Sequence, residues 1–294
     1  MLELAYDMPL YRPPSEANNL IIQATLGCSF NKCTFCSMYK TKDYAERPLE
    51  DVFADIDTAA RMWPDASRVF LADGDALALP TDRLIAILER LADTFPDLTR
   101  VTCYALPANL LRKSVDELGE LRRRKLTLLY YGIESGSADI LRRIRKGASP
   151  KIMVEGLGRA REAGIKTSCT VILGLGGRRR WQDHIEGTAE LVSEAAPEFV
   201  STLQLMLDGT TLEEFLEAFG EPFEFQDDNG ILLEQERLVS ALQPKTPVIF
   251  RSNHASNALP LAGTLPKDRD KLLAAIATAR EAGLGVRPQW MRAL

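Results

Sequence analysis

The stretch Leu20-Ile-Ile-Gln-Ala-Thr-Leu26-Gly27-Cys28-Ser-Phe-Asn-Lys-Cys33-Thr-Phe35-Cys36-Ser-Met-Tyr39 decides how the rest of the chain is read. A run of β-forming apolar residues ends at a glycine, and the loop behind it carries three of the chain's five cysteines. Cys103 and Cys169 stand apart inside apolar runs and read as core thiols. Five cysteines in 294 residues do not make a disulfide framework. A tight, odd-numbered cluster reads instead as metal ligation or redox chemistry. Three thiolates on one loop suit a cubane iron–sulfur cluster that keeps one iron without a protein ligand. A structural zinc site would need a fourth Cys or His. The two histidines, His184 and His254, are far away in sequence, so zinc requires a distant residue to complete the set.

Outward from this loop, apolar strand candidates alternate with amphipathic stretches. Strands are expected at Leu20–Leu26, Arg68–Ala72, Arg100–Ala105, Leu126–Ile133, Lys166–Leu173 and Phe199–Leu207. Helices are expected at Leu49–Trp63, Thr81–Phe95, Ser114–Arg124, Ala138–Arg145, Lys151–Ala163 and Trp181–Ala195. Parallel neighbours need crossover connections, so this alternation predicts a parallel sheet with helices outside. Six units are too few for a closed eight-unit barrel. The expected fold class is therefore α/β, a partial (β/α)6 TIM-like barrel with a C-terminal extension. Residues 1–19 form an N-terminal extension, 20–208 the barrel, and 209–294 an extension covering the barrel mouth.

In that last part Thr210–Phe219 and Pro266–Ala282 read as helices, Glu221–Gly230 as an acidic loop and Thr246–Phe250 as a strand. The run Arg251-Ser-Asn-His-Ala-Ser-Asn257 follows at once. It is either a polar turn satisfying its own backbone or a substrate site in which Arg251 and His254 act on a carboxylate-bearing molecule. His184 is expected on a polar helix face with no role of its own.

Hydrophobic residues at 46% and charged ones at 26% describe a globular chain rather than a disordered one. A net charge of −5 offers no basic surface for phosphate backbones, so a nucleic-acid partner is not expected. The basic runs Arg122-Arg-Arg-Lys125 and Arg178-Arg-Arg180 read as helix ends or solvated loops. No stretch approaches the roughly 18–20 apolar residues of a membrane span. The opening MLELAYDMPLYRPP lacks the basic start and apolar stretch of a signal peptide. A soluble cytoplasmic protein with no membrane partner is expected.

With Cys28, Cys33, Phe35 and Cys36 in these places, the loop resembles that of the radical S-adenosylmethionine (SAM) superfamily. Its usual signature is CxxxCx-aromatic-C after the first strand of a partial (β/α)6 barrel; here four residues, not three, separate Cys28 from Cys33. The resemblance implies that the three cysteines hold a [4Fe-4S] cluster and that Phe35 lies at the cofactor. Further segments match in order. Gly74 and Asp75, in Ala72-Asp-Gly-Asp-Ala76, stand where the family holds the methionyl amine of SAM, although alone such a segment is more often a turn. Gly132-Ile-Glu134-Ser-Gly136 resembles a segment of the subgroup with methylthiotransferases and coproporphyrinogen dehydrogenases, implying that Glu134 contacts SAM. Ile172 and Gly174 resemble the end of a GxIxGxxG motif that approaches the adenine, with Thr170 in place of its first glycine. Arg161 stands where relatives place a basic residue near the SAM carboxylate, or is an ordinary surface arginine. The resemblance implies cleavage of SAM to a 5′-deoxyadenosyl radical that attacks an unidentified small or medium-sized substrate. The electron would come from an external donor such as flavodoxin or ferredoxin. Alternatives are a tRNA- or protein-modifying radical enzyme, and a non-catalytic iron–sulfur or zinc scaffold or sensor.

Overall fold

The computed structural model describes residues 4–292; the outermost residues of the two expected extensions, 1–3 and 293–294, lie outside it. In chain order the elements are β1 (Leu20–Gln23), β2 (Thr25–Leu26), β3 (Ala45–Glu46), α1 (Leu49–Met62), β4 (Arg68–Ala72), α2 (Thr81–Thr94), β5 (Arg100–Ala105), α3 (Pro107–Arg112), α4 (Val115–Arg123) and β6 (Leu126–Glu134). There follow α5 (Ala138–Arg143), α6 (Pro150–Glu162), β7 (Lys166–Leu173), α7 (Gly177–Ala195), β8 (Phe199–Gln204), α8 (Leu212–Phe219), α9 (Asp228–Ala241), β9 (Val248–Arg251), β10 (Ala262–Leu265) and α10 (Arg269–Ala282).

Eight strands form one sheet in the order β1-β4-β5-β6-β7-β8-β9-β10, with β1 and β10 at its ends and no closure among the described residues. It is mostly parallel: β1–β4, β4–β5, β5–β6, β7–β8 and β8–β9 pair parallel, and β9–β10 pairs antiparallel. This is the mixed α/β fold of the partial TIM-like class expected from the sequence. Residues after 208 contribute β9 and β10 to the same sheet. The run Leu20–Leu26 does not continue as one strand. The Ala24 N–H bonds the Ala72 carbonyl, while the Ala24 carbonyl accepts from Arg47, so the chain changes partners there and β2 pairs with β3 instead.

The chain packs as two compact units. The first comprises residues 1–31, 38–131 and 156–167; the second comprises 32–37, 132–155 and 168–294. In the first, α2 buries Leu84, Ile87, Leu88 and Leu91 along one stripe, each contributing about 1.5–3 kcal/mol of apolar burial. The other face of its strands gathers Ile21, Phe70 and Ala72 with Tyr6, Leu10, Tyr104 and Tyr130. The N-terminal segment is pinned there. The Gln23 amide pairs with both the N–H and the carbonyl of Asp7, and the Lys42 ammonium donates to the Asp7 and Pro9 carbonyls.

In the second unit, Thr170 and Ser201 are register partners, as are Ser201 and Arg251. Period-two alternation therefore puts all three on one face, while Cys169, Val171, Val200 and Phe250 fill the opposite, fully buried face. Helix α7 starts at Gly177, four residues before the expected Trp181. This places Arg178, Arg179 and Arg180 in a first turn that disfavours cations. Asp227, Glu224 and Glu221 offset that by pairing with them in turn. The acidic loop expected over Glu221–Gly230 gives way at Asp228 to α9, whose start is capped by the Asp227 side chain accepting from the Gly230 N–H.

Candidate cofactor site

In the first unit the loop from Gly27 to Asn31 is fastened to the end of β4. Asp73 Oδ2 accepts from the Gly27 N–H at 3.1 Å and from the Lys42 ammonium at 2.8 Å. Asp73 Oδ1 is buried without a hydrogen bond of good geometry among the described residues, and the Tyr39 hydroxyl, its pKa raised by burial and by Asp73, lies near the same carboxylate. Asp75 is fully buried and accepts from the hydroxyl of Ser29, the neighbour of Cys28, and from the Asn109 amide. Burial pushes its carboxyl up to about 6, against the pull of those two hydrogen bonds. Of the two carboxylates, Asp73 thus keeps an oxygen to offer, while Asp75 anchors the cysteine loop. Gly74 is required between them, because a Cβ there would fall on the Tyr39 ring, 2.5 Å from Cε2.

In the second unit Glu134 closes β6 with φ +62°, a left-handed conformation that costs a non-glycine residue of order 1–3 kcal/mol and clusters at functional sites. Glu134 Oε1 accepts from the Lys146 ammonium at 2.9 Å, and Oε2 is buried without a partner among the described residues. Lys146 lies 6.0 Å from the centre of the Phe35 ring and in the field of the Cys33 and Cys36 thiols. Burial pulls its pKa down, but Glu134 and the two thiols outweigh burial, so the net shift is upward and the side chain stays charged. A buried cation facing two thiols and one half-paired carboxylate suits a ligand set that carries negative charge. Cys28 belongs to the first unit, Cys33 and Cys36 to the second, and all three are partly exposed. Among the described residues no three Cys, His, Asp or Glu side chains converge as the shell of one metal ion. A cubane asks for something else, because each of its cysteines binds a different iron.

Past β7, Gly174 takes φ +88°, and its N–H donates to Glu234 Oε2 at 2.7 Å. Glu234 is fully buried, which pushes it up to about 7 despite its bonds to Gly174 and Gln226. His184 corrects the sequence expectation. It sits inside the fold rather than on a polar helix face, with Nδ1 2.8 Å from Ser135 Oγ and Nε2 3.0 Å from the Ile172 carbonyl. Burial lowers it to about 4, so it is neutral near pH 7.

The remaining positions separate. Arg161 lies exposed in the last turn of α6, five residues before β7 starts, and belongs to the first unit, whereas Ile172 and Gly174 belong to the second. His254 Nδ1 engages both the hydroxyl and the N–H of Ser256, so its ring closes a local turn. Asn257 is likewise structural, its amide donating to the Thr202 carbonyl and to Ser252. Arg251 shares a half-buried strand face with Ser201 and Thr170. Sequence reasoning missed Asp73, Lys146 and Glu234; the first Asp of Asp-Gly-Asp was in view, but which carboxylate stays open depends on Ser29 and Asn109.

A mostly parallel, open α/β sheet with a cysteine loop behind its first strand and a half-paired carboxylate closing a later one defines a cofactor-dependent α/β protein of the TIM-like class. The model of the radical SAM superfamily matches residues 22–192, and the chain belongs to that superfamily. A candidate methylthiotransferase from Methanocaldococcus jannaschii is 26% identical over 165 residues, covering 53% of this chain and 35% of the relative. Among solved structures, coproporphyrinogen III oxidase from Escherichia coli, a radical SAM enzyme, aligns with TM-score 0.56 and 17% identity over 76% of this chain and 52% of its own. The radical SAM methyltransferase TsrM from Kitasatospora setae, solved with cobalamin and a [4Fe-4S] cluster, aligns with TM-score 0.52 and 16% identity over 63% and 36%. The chain thus spans about a third to a half of the length of these relatives. No helix among the described residues is long and apolar enough to cross a membrane.

Proposed function

We propose that the chain is a radical SAM enzyme in which Cys28, Cys33 and Cys36 hold a [4Fe-4S] cluster and Glu134, with Phe35, Ile172 and Gly174, holds SAM. The observation that carries this is Glu134. It is strained at a strand end, half neutralised by a lysine that also faces Cys33 and Cys36, and its second oxygen is buried without a partner. Such an oxygen costs about 1–3 kcal/mol unless a ligand donor meets it, and SAM brings hydroxyl and ammonium donors. When bound, the cluster supplies the electron that cleaves SAM to methionine and a 5′-deoxyadenosyl radical, which takes hydrogen from a substrate C–H bond.

The chain's own residues hold and orient. Lys146 pairs with Glu134 and offsets the charge of the thiolates. The Asp73-Gly74-Asp75 segment faces the methionyl amine, with Asp73 offering its open oxygen and Asp75 fixing the loop of Cys28 through Ser29. Arg251 binds a carboxylate-bearing substrate of small or medium size from the strand face beside Ser201 and Thr170. His254 supports that site through the turn it closes, and Arg161 is left as a surface residue. A one-electron donor such as flavodoxin or ferredoxin serves a protein working in the cytoplasm. The acidic net charge favours a small molecule over tRNA as substrate, and the open acceptor of Glu134 favours an enzyme over a scaffold.

Anaerobic reconstitution with iron and sulfide should load about four irons per chain. Separate Cys28→Ala, Cys33→Ala and Cys36→Ala variants should lose the iron and its visible absorption while remaining folded. Stoichiometric zinc with no iron uptake, or full iron in all three variants, would contradict the ligand set.

A further inference from the structure

Two buried side chains meet the backbone at the end of β7, and neither belongs to a motif. His184, from α7, has Nε2 3.0 Å from the Ile172 carbonyl. A carbonyl only accepts, so Nε2 carries the proton and Nδ1 is a lone pair. The Ser135 hydroxyl, 2.8 Å from Nδ1, therefore donates to it, and Ser135 Oγ in turn accepts from the Ser137 N–H at 3.1 Å. Glu234, from α9, accepts from the Gly174 N–H at 2.7 Å through one oxygen and from the Gln226 amide at 3.1 Å through the other. Thr188 repeats the device one helical turn after His184: its hydroxyl donates to the His184 carbonyl and accepts from the Gly136 N–H at 2.8 Å.

We infer that His184 and Glu234 are positioning residues that clamp the Ile172–Gly174 turn at both ends and tie it to the Ser135–Ser137 loop behind Glu134. The inference rests on the reading above that Glu134, Ile172 and Gly174 face SAM. The clamp is needed because Gly174 has no side chain to hold it and lies in a left-handed conformation just past the strand. A binding surface made of backbone keeps its geometry only if buried partners fix it, within about half an ångström for productive contact. His184 fixes the carbonyl at one end, Glu234 the N–H at the other, and the constraint reaches Glu134 through its neighbour Ser135. Local unfolding of that turn thereby becomes coupled to the carboxylate that the ligand meets.

The test uses the full chain with His184→Phe, which fills the space but cannot hydrogen-bond, and His184→Gln, whose amide can still donate to the Ile172 carbonyl. Glu234→Leu and Glu234→Gln form the matching pair. In the cluster-free protein, amide hydrogen exchange at Gly136, Ser137 and Gly174 should quicken in the Phe and Leu variants and stay near wild type in the two Gln variants. In cluster-loaded protein with equal iron content, SAM should bind about tenfold or more weakly to the Phe and Leu variants, with the Gln variants within a few-fold of wild type. Unchanged exchange in the Phe and Leu variants would overturn the clamp itself. Faster exchange with unchanged SAM affinity would overturn the assignment of these strand ends to SAM, leaving the clamp as structure alone. If the Phe and Leu variants do not fold, Gln variants with wild-type exchange but tenfold weaker SAM binding would overturn the inference just as well.

Discussion

His184 is an ionisable side chain held where its charged form meets no water, and stability must follow its titration. Its folded pKa is lowered to about 4 by burial, against about 6.5 for a free imidazole. Between those values the unfolded chain binds the proton and the folded one does not, so stability present above pH 6.5 is lost as pH falls toward 4. From pH 7 to pH 5 the loss from this one group is roughly 2 kcal/mol. Asp75 and Glu234 act the opposite way, because burial raises both carboxyls and acid relieves them. The clean observable is therefore a difference. In urea unfolding at pH 7 and pH 5, wild type should lose roughly 2 kcal/mol relative to His184→Gln; parallel pH dependence in the two proteins would mean the imidazole is not buried as described. At this scale only part of the site is legible in the sequence. Cys28, Cys33, Cys36 and Glu134 were legible because each sits in a local pattern. His184 and Glu234 were not, because their partners Ser135 and Gly174 lie 49 and 60 residues away and leave no local trace.

Elements are legible where apolar β-branched runs or helical stripes are strong. Arg68–Ala72, Arg100–Ala105 and Lys166–Leu173 form strands over the very bounds read from the sequence. Helix α9 was hidden because its buried face includes Glu234 and Gln235, polar residues that interrupt the apolar stripe. Helix α3 and strand β10, at six and four residues, are too short to carry a period. The start of α7 was misplaced because three arginines look like a loop until their carboxylate partners, more than 40 residues away, are known. The same helix makes the tightest backbone approach at this site. Gly136 and Gly187 meet so closely that a Cβ on Gly136 would overlap the Gly187 carbonyl. Gly136→Ala should therefore cost about 1–3 kcal/mol or more by overpacking, read as a lower denaturation midpoint with an unchanged slope. A variant as stable as wild type would show that α7 can retreat and does not fix the loop.

For the molecule as a whole, the superfamily match spans residues 22–192, and the strands and helices after 208 lie beyond it. Arg251 stands on the strand face of Ser201, and Glu234 reaches back to Gly174, so the later segment serves both the proposed substrate site and the proposed SAM site. The proposed function therefore turns on SAM cleavage more than on any single contact. The decisive measurement is 5′-deoxyadenosine formation by anaerobically reconstituted, chemically reduced protein. Wild type should release 5′-deoxyadenosine and methionine in equal amounts, even without substrate, and Glu134→Gln, with the same iron content, should release about tenfold less or below. Iron-loaded wild-type protein that binds SAM yet yields no 5′-deoxyadenosine, or a Glu134→Gln variant that cleaves SAM as fast as wild type, would contradict it.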